Sequence, residues 1–120
     1  MSKLVSQQCS ACEIGAPLVS AEDQKIFLKD LDGWEIDSLG VEKLVKKFNF
    51  NNYYNAIQFS NCIADLAESE GHHPKIILEW GLVTLEWWSH KIKGLHKNDF
   101  ICAAKSDQLF HALDITSIKL

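Results

Sequence analysis

The spacing of hydrophobic and polar residues divides the chain into seven predicted elements. Apolar positions three and four residues apart predict helices over about 20–32, 52–70 and 97–113. Alternating or short apolar runs predict strands over 34–37, 43–50, 76–80 and 82–90. Residues 1–19 show no clear period, and we expect them to form a flexible N-terminal lead.

The first helix has recognisable start and stop signals. Ser20 and Asp23 resemble an N-cap followed three residues later by an acid. The dipeptide Asp32-Gly33 is expected to end the helix. The predicted apolar face consists of Ile26, Leu28 and Leu31.

The second helix should begin after Asn51 or Asn52 and end at Gly71. Its apolar positions follow the three- and four-residue spacing of a buried stripe. The stripe consists of Ala56, Phe59, Ile63 and Leu66, widened by Tyr53, Ile57 and Ala67. After Gly71, Pro74 disfavours helical geometry at His73 and favours an extended backbone.

The strand positions divide into two faces. One face of the last strand is predicted to contain Val83, Leu85, Trp87 and Ser89, and the other Thr84, Glu86, Trp88 and His90. In the second strand, Leu44, Phe48 and Phe50 share a face with Lys46. Each strand therefore presents an apolar side suited to packing against helices.

The element order predicts the fold class. The sequence α-β-β-α-β-β-α contains no strand–helix alternation that would require a parallel sheet. The economical arrangement is an α+β fold, with a four-stranded antiparallel sheet and three helices packed on one face. We expect a single domain over residues 20–120 after the lead at 1–19.

Composition narrows the classes of function. The 120 residues are 47% hydrophobic and 23% charged, with a net charge of −4. The acidic balance and the lack of a strong basic block argue against a nucleic-acid partner. No apolar run approaches the roughly 20 residues of a membrane helix, and the N-terminus lacks a signal-peptide core. We therefore expect no membrane association and a cytoplasmic location.

The cysteines give a weak signal. Cys9 and Cys12 form a C-x-x-C motif, but no second pair completes a structural zinc site. The motif lies in the polar lead rather than at the start of a helix after a strand, where redox pairs usually lie. We interpret it as an incidental or locally structural pair. Cys62 is expected in the core, and Cys102 receives no functional assignment.

The strongest candidate chemistry is a histidine cluster. His72 and His73 are adjacent, His90 lies at the end of the predicted hairpin, and Glu68 and Asp99 flank them. Imidazole, with an unperturbed pKa of about 6.5, can give and take protons near neutral pH. Such a cluster with two carboxylates suggests acid–base chemistry on a small molecule.

Three interpretations of the cluster compete. The histidines could form a hydrogen-bonded structural group, or they could bind zinc, although adjacent extended residues point in opposite directions. The third interpretation is metal-free general acid–base catalysis, in which carboxylates hold the correct tautomers or anchor the substrate. Trp80 could then offer a flat surface to a planar ring, although core packing is the more common role of a tryptophan.

The cluster also has a specific resemblance. The series Glu68, His72-His73-Pro74, Trp80, His90 and Asp99 looks like the signature of the pterin-4a-carbinolamine dehydratases in their bacterial form. The segments 44–50, 87–90 and 94–100 resemble that family as well. The similarity covers about residues 20–113, and the lead with Cys9 and Cys12 also resembles bacterial members.

The resemblance implies a function. The family dehydrates 4a-hydroxytetrahydropterin to quinonoid dihydropterin, which recycles the cofactor of aromatic amino-acid hydroxylases, mainly phenylalanine hydroxylase. It implies no metal and no cofactor beyond the pterin substrate. It also implies the same α+β fold and a homodimer or homotetramer.

The resemblance also assigns roles to individual residues. His72 and His90 would transfer protons, whereas His73 would bind the pterin and could act as the base. Glu68 and Asp99 would contact the pterin or support the histidines. Pro74 and Trp80 complete the expected substrate-binding set.

A second function class remains open. Some animal members of the family also act as dimerisation cofactors for a homeodomain transcription factor, so a protein-binding module is the main alternative. Another role in pterin metabolism, such as a molybdopterin pathway, is a further alternative. A pure binding module would tolerate loss of His72 and His90, whereas an enzyme would turn over pterin alone.

Overall fold

The computed structural model describes residues 4–9 and 17–117, with side-chain environments up to residue 113. In that part of the chain, three helices and four strands follow the predicted order. They are α1 (Ala21–Leu28), β1 (Glu35–Asp37), β2 (Lys43–Asn49), α2 (Tyr53–Glu70), β3 (Lys75–Glu79), β4 (Leu82–Trp87) and α3 (Lys97–Ser117). The third helix thus extends four residues beyond its predicted end.

The four strands form one antiparallel sheet in the order β1-β2-β4-β3. Leu44 pairs with Trp87 and Phe48 with Val83, so the apolar positions of the two central strands share one face. The ring of Phe48 contacts Phe59 of α2 at 4.8 Å and Phe110 of α3 at 5.1 Å. Both long helices therefore pack on that face, as the α+β prediction requires.

The first helix begins where predicted but ends earlier. The hydroxyl of Ser20 accepts a hydrogen bond from the backbone N–H of Asp23 at 3.2 Å, which confirms the N-cap. The helix ends at Leu28, and Leu31 reaches the core from a following turn. Ile26, predicted on the apolar face, is 56% exposed. The chain leaves the helix early because Leu31 and Trp34 must both reach the core.

The second helix follows its prediction closely. Asn52 is the N-cap, and its side chain accepts from the N–H of Asn55. Gly71 ends the helix in the left-handed region with φ 64°, a conformation that glycine adopts without a Cβ penalty. The buried stripe consists of Ala56, Phe59, Ile63 and Ala67, whereas Leu66 is half-buried and Tyr53 exposed.

The last two strands end at different residues than predicted. The third strand begins at Lys75 and leaves Trp80 in the turn, while the fourth ends at Trp87 rather than His90. Lys75 pairs with Glu86, and the residue before it is Pro74, which has no N–H to extend the ladder. Beyond Trp87 a single bridge joins Ser89 to Gly94, so His90 lies in the turn between them.

Part of the predicted lead packs against the domain. Leu4 is buried at 3% exposure, and Val5 and Cys9 pack against the core. The flexibility of residues 1–19 and the start of the domain at residue 20 stay predictions. Cys12, the second cysteine of the C-x-x-C motif, lies outside the described residues.

In the part of the chain that the structure describes, no helix combines the length and the apolar character needed to cross a membrane.

The turn between β3 and β4 tolerates little but glycine. Gly81 has φ 67°, and an added Cβ would lie 2.9 Å from the carbonyl oxygen of Phe50. Gly40 has a similar φ of 79°, but an added Cβ there would meet open space. Gly40→Ala therefore measures only the cost of a left-handed backbone at alanine, about 1–2 kcal/mol. We expect Gly81→Ala to lower the free energy of unfolding clearly more than Gly40→Ala in urea titrations. Equal losses would contradict this backbone clash.

Candidate active site

A buried carboxylate–imidazole pair lies at the centre of the candidate site. Nε2 of His72 lies 2.5 Å from Oδ1 of Asp99. Asp99 is fully buried, and His72 is only 7% exposed. A buried charged or polar group is stable only with partners, so each side chain holds the other in a fixed orientation.

The end of α2 positions the imidazole. The left-handed turn at Gly71 reverses the chain, and the backbone N–H of His72 then bonds to the carbonyl of Ala67 at 3.1 Å. The ring of His72 stacks on Trp87, with centroids 5.8 Å apart and planes only 6° from parallel. The ring is therefore fixed by a helix end, a strand and a helix start together.

Two further groups hold the carboxylate, and neither was predicted from the sequence to belong to the site. The hydroxyl of Ser89 and the backbone N–H of His96 each donate to Oδ2 of Asp99 at 2.9 Å. The prediction for the last strand already placed Ser89 on the same face as Trp87. A hydroxyl on an otherwise apolar face needs a buried polar partner, and this requirement could have indicated that Ser89 belongs to the site. The bond from His96 depends on the turn before α3, which no spacing reveals.

A second carboxylate–imidazole pair lies at the surface. Nε2 of His73 is 2.5 Å from Oε2 of Glu68, and the two side chains are 60% and 79% exposed. Pro74 follows directly and is half-buried. Because solvent screens this pair, its contribution to stability is small, and the imidazole of His73 is accessible to a ligand.

The third histidine lies against an indole ring. His90 is exposed, and its ring lies 4.4 Å from that of Trp88. The ammonium of Lys43 lies over the same indole at 4.7 Å. The surface beside Trp88 therefore combines an aromatic face, a cation and an exposed imidazole.

Residues 87–90 connect these groups. Trp87 and Ser89 contact His72 and Asp99 on the helix side, while Trp88 contacts His90. This alternation is the one predicted for the last strand. Within residues 4–9 and 17–117, no hydrogen bond or ring contact joins two of the three imidazoles.

Trp80 lies apart from the other candidate residues. It is 70% exposed in the turn that follows β3, whereas His72 and His73 precede the start of that strand. Six residues lie between His73 and Trp80, most of them in β3, so the seven steps along the chain span about 23 Å at the rise of a strand. One copy of the chain therefore does not bring this indole to the histidines, and it does not pack in the core either.

Across the described ranges, no three histidine, cysteine or acidic side chains are grouped as a metal site would require. The histidines instead lie beside carboxylates or aromatic rings, which suits proton transfer and the binding of a flat, polar molecule.

A family model for pterin 4 alpha carbinolamine dehydratase matches residues 17–109. The chain belongs to the pterin 4 alpha carbinolamine dehydratase family. All seven candidate residues, from Glu68 to Asp99, lie within the matched range.

Bacterial relatives in this dehydratase family are similar over most of their length. A protein of Saccharophagus degradans, provisionally named pterin-4-alpha-carbinolamine dehydratase, is 48% identical over 111 residues, which cover 92% of this chain and 98% of the relative. One from Vibrio cholerae with the same provisional name is 56% identical over 103 residues, covering 85% and 94%.

Two solved structures share the fold. A transcriptional coactivator/pterin dehydratase from Brucella melitensis has a TM-score of 0.73 at 22% identity, covering 78% of this chain and 98% of the other. A pterin dehydratase-like protein identified as a RuBisCO assembly factor in the alpha-carboxysome has a TM-score of 0.56 at 24% identity, covering 65% and 92%. Both support the α+β fold.

Proposed function

We propose that this chain catalyses the dehydration of a 4a-hydroxytetrahydropterin to quinonoid dihydropterin and water. The observation that most supports the proposal is the buried pair of His72 and Asp99 in a chain of this family. The next residue after His72, His73, and the next residue after Ser89, His90, both carry exposed imidazoles. The product would recycle the cofactor of an aromatic amino-acid hydroxylase, with phenylalanine hydroxylase as the expected enzyme.

The reaction needs two proton movements. The C4a–O bond breaks as its oxygen takes a proton and leaves as water, and the proton on N5 departs so that a C4a=N5 double bond forms. One group must act as an acid and another as a base. Each well-placed group typically contributes about 10²- to 10⁴-fold to the rate.

The residue roles follow the expectation from the resemblance. His72 and His90 transfer protons, and His73 binds the pterin and is available as the base. Asp99 bonds to Nε2 of His72 and so leaves Nδ1 to exchange a proton. Glu68 orients His73 in the same way at the surface.

The aromatic surface supplies binding. The exposed ring of His90 and the indole of Trp88 lie together beside Lys43. Stacking on such rings suits a planar heterocycle. Pro74 would limit the movement of His73 during binding.

The proposal predicts a pH-dependent rate near neutrality. One imidazole must be protonated while another is neutral, so kcat/KM should rise and then fall between about pH 5 and 8. Stopped-flow ultraviolet absorbance with freshly generated substrate measures this profile after subtraction of the spontaneous reaction at each pH. A flat profile over that range would contradict catalysis by histidine acid and base.

A protein-binding role is the alternative, because both solved structures that share the fold are described with such roles. The two functions differ in what they need. An enzyme accelerates dehydration with no other protein present, and His90→Ala abolishes most of that rate. If partner binding were the function, the purified chain would leave the spontaneous rate unchanged.

A further inference from the structure

Two cysteines that are distant in sequence meet beside the candidate site. Sγ of Cys9 lies 3.5 Å from Sγ of Cys102, although 93 positions separate them along the chain. Cys102 is fully buried in α3, whereas Cys9 is half-buried in the segment 4–9. The C-x-x-C motif pairs Cys9 with Cys12 in the sequence, whereas the contact in the described residues joins Cys9 to Cys102 of α3.

The position of Cys9 is fixed by several contacts. Its backbone N–H donates to Oε1 of Glu70 at 2.8 Å, and the ammonium of Lys105 binds Oε2 of the same carboxylate at 2.6 Å. Its thiol also lies 3.7 Å from the carbonyl of Asn98. Leu4, five residues earlier, anchors the segment in the core. The two sulfur atoms are therefore held together rather than meeting by chance at a chain end.

The Glu70 carboxylate, which holds the backbone of Cys9, is ionised at neutral pH. Burial alone would raise the pKa of Glu70, but the Lys105 ammonium and the Cys9 N–H hold it below its ordinary value. Glu70 therefore remains an acceptor for Cys9 at neutral pH.

The two thiols differ in their surroundings and therefore in their reactivity. The hydrogen bond with Cys9, burial, and the nearby Asp99 and Glu70 carboxylates raise the pKa of Cys102 well above its ordinary value. Cys102 therefore stays protonated and is shielded from solvent. Because Cys9 is partly exposed, it is the thiol that a dissolved oxidant can reach.

We propose that Cys9 and Cys102 are a redox-active pair that closes to a disulfide when the protein meets hydrogen peroxide. The Cys9 thiol gives up its proton as its sulfur attacks one peroxide oxygen. The O–O bond breaks, Cys9 becomes a sulfenic acid, and the second oxygen takes up the proton and leaves as the first water. The sulfur of Cys102 then loses its proton and attacks the Cys9 sulfur, and the S–O bond breaks as water leaves. The two thiols together lose two electrons, and the peroxide is reduced to two waters.

The geometry makes this closure accessible. The S–S bond length is about 2.05 Å, so the sulfur atoms must approach by about 1.5 Å from their present contact. Cys9 lies in an irregular segment that can supply this movement, while Cys102 is held within α3. The disulfide would fasten the segment 4–9 to the helix turn that begins with Asp99.

Peroxide oxidation followed by peptide mapping tests the proposal. The full-length chain, treated with hydrogen peroxide, should lose the mass of two hydrogens and yield a peptide that joins Cys9 to Cys102. The thermal midpoint should rise by several degrees and return after dithiothreitol, because a link across so long a loop restricts the unfolded chain. The same link should form in the Cys12→Ser and Cys62→Ser controls.

Two variants should prevent the link. Cys102→Ser and Cys9→Ser should both lack it, and the second keeps the test valid if a change inside α3 impairs folding. Glu70→Ala should slow the formation of the disulfide several-fold, because the hydrogen bond that holds the Cys9 backbone is lost. A disulfide between Cys9 and Cys12, or oxidation of Cys9 without any link to Cys102, would overturn the proposal.

Discussion

Replacing His90 with alanine is expected to lower kcat/KM for dehydration by about 10²- to 10⁴-fold while leaving the fold intact. The side chain is exposed, and its ring contact in the described structure is with Trp88, so its loss leaves no buried cavity. The change removes the proton-transfer group together with one ring of the aromatic surface, and the indole of Trp88 remains. Stopped-flow absorbance at substrate concentrations well below KM gives the ratio directly.

A matched control separates chemistry from histidine content. His111 on α3 is also exposed and contacts a ring, that of Phe110 at 5.9 Å, but it lies away from the candidate residues. His111→Ala should therefore change kcat/KM by less than about twofold. If both variants lose activity equally, or neither does, His90 has no part in the reaction.

The second large effect concerns the buried carboxylate. Asp99→Ala should lower the free energy of unfolding by several kcal/mol, because each buried donor left without its acceptor costs about 1–3 kcal/mol. The change leaves His72, the Ser89 hydroxyl and the His96 N–H without their acceptor. It should also reduce dehydration strongly, because the ring of His72 loses its fixed orientation.

The surface pair provides the comparison for this prediction. Glu68→Ala removes a carboxylate at the same 2.5 Å distance from an imidazole, but in solvent. It should change the free energy of unfolding by less than about 1 kcal/mol. Urea unfolding of both variants measures the contrast, and Asp99→Asn gives an intermediate value if the alanine variant does not fold. Similar losses for Glu68→Ala and Asp99→Ala would show that burial does not determine the contribution of the pair.

Local signals in the sequence predicted much of the fold. The caps at Ser20 and Asn52 and the helix end at Gly71 are short-range interactions, so the residues themselves specify them. The alternation in the last strand correctly grouped Trp87 with Val83 and Leu85, and all three are buried. Each of these features depends on neighbours only a few positions away.

Features set by distant contacts were harder to predict. Ile26 fits a helical apolar face, but the helix ends early because Leu31 and Trp34 occupy the core instead. Leu4 showed no periodic pattern, yet it is buried. A tryptophan such as Trp80 usually packs in a core or stacks on a ligand, but here it lies beside the tight turn at Gly81 and is exposed to solvent.

The candidate site shows the same division. The sequence predicted that Glu68, Asp99 and the three histidines are functionally related, and the structure pairs each carboxylate with one imidazole. Spacing alone did not reveal that one pair is buried and the other exposed. That difference depends on how α3 packs against the end of β4, which is a property of the whole fold.

The most direct test of the central proposal is the rate of dehydration of freshly generated 4a-hydroxytetrahydropterin with the purified native chain as the only protein. Ultraviolet absorbance follows the conversion, and the same solution without protein gives the spontaneous rate. We expect the rate to rise in proportion to the concentration of folded chain and to saturate with substrate. A folded chain that leaves the spontaneous rate unchanged would contradict the dehydratase function.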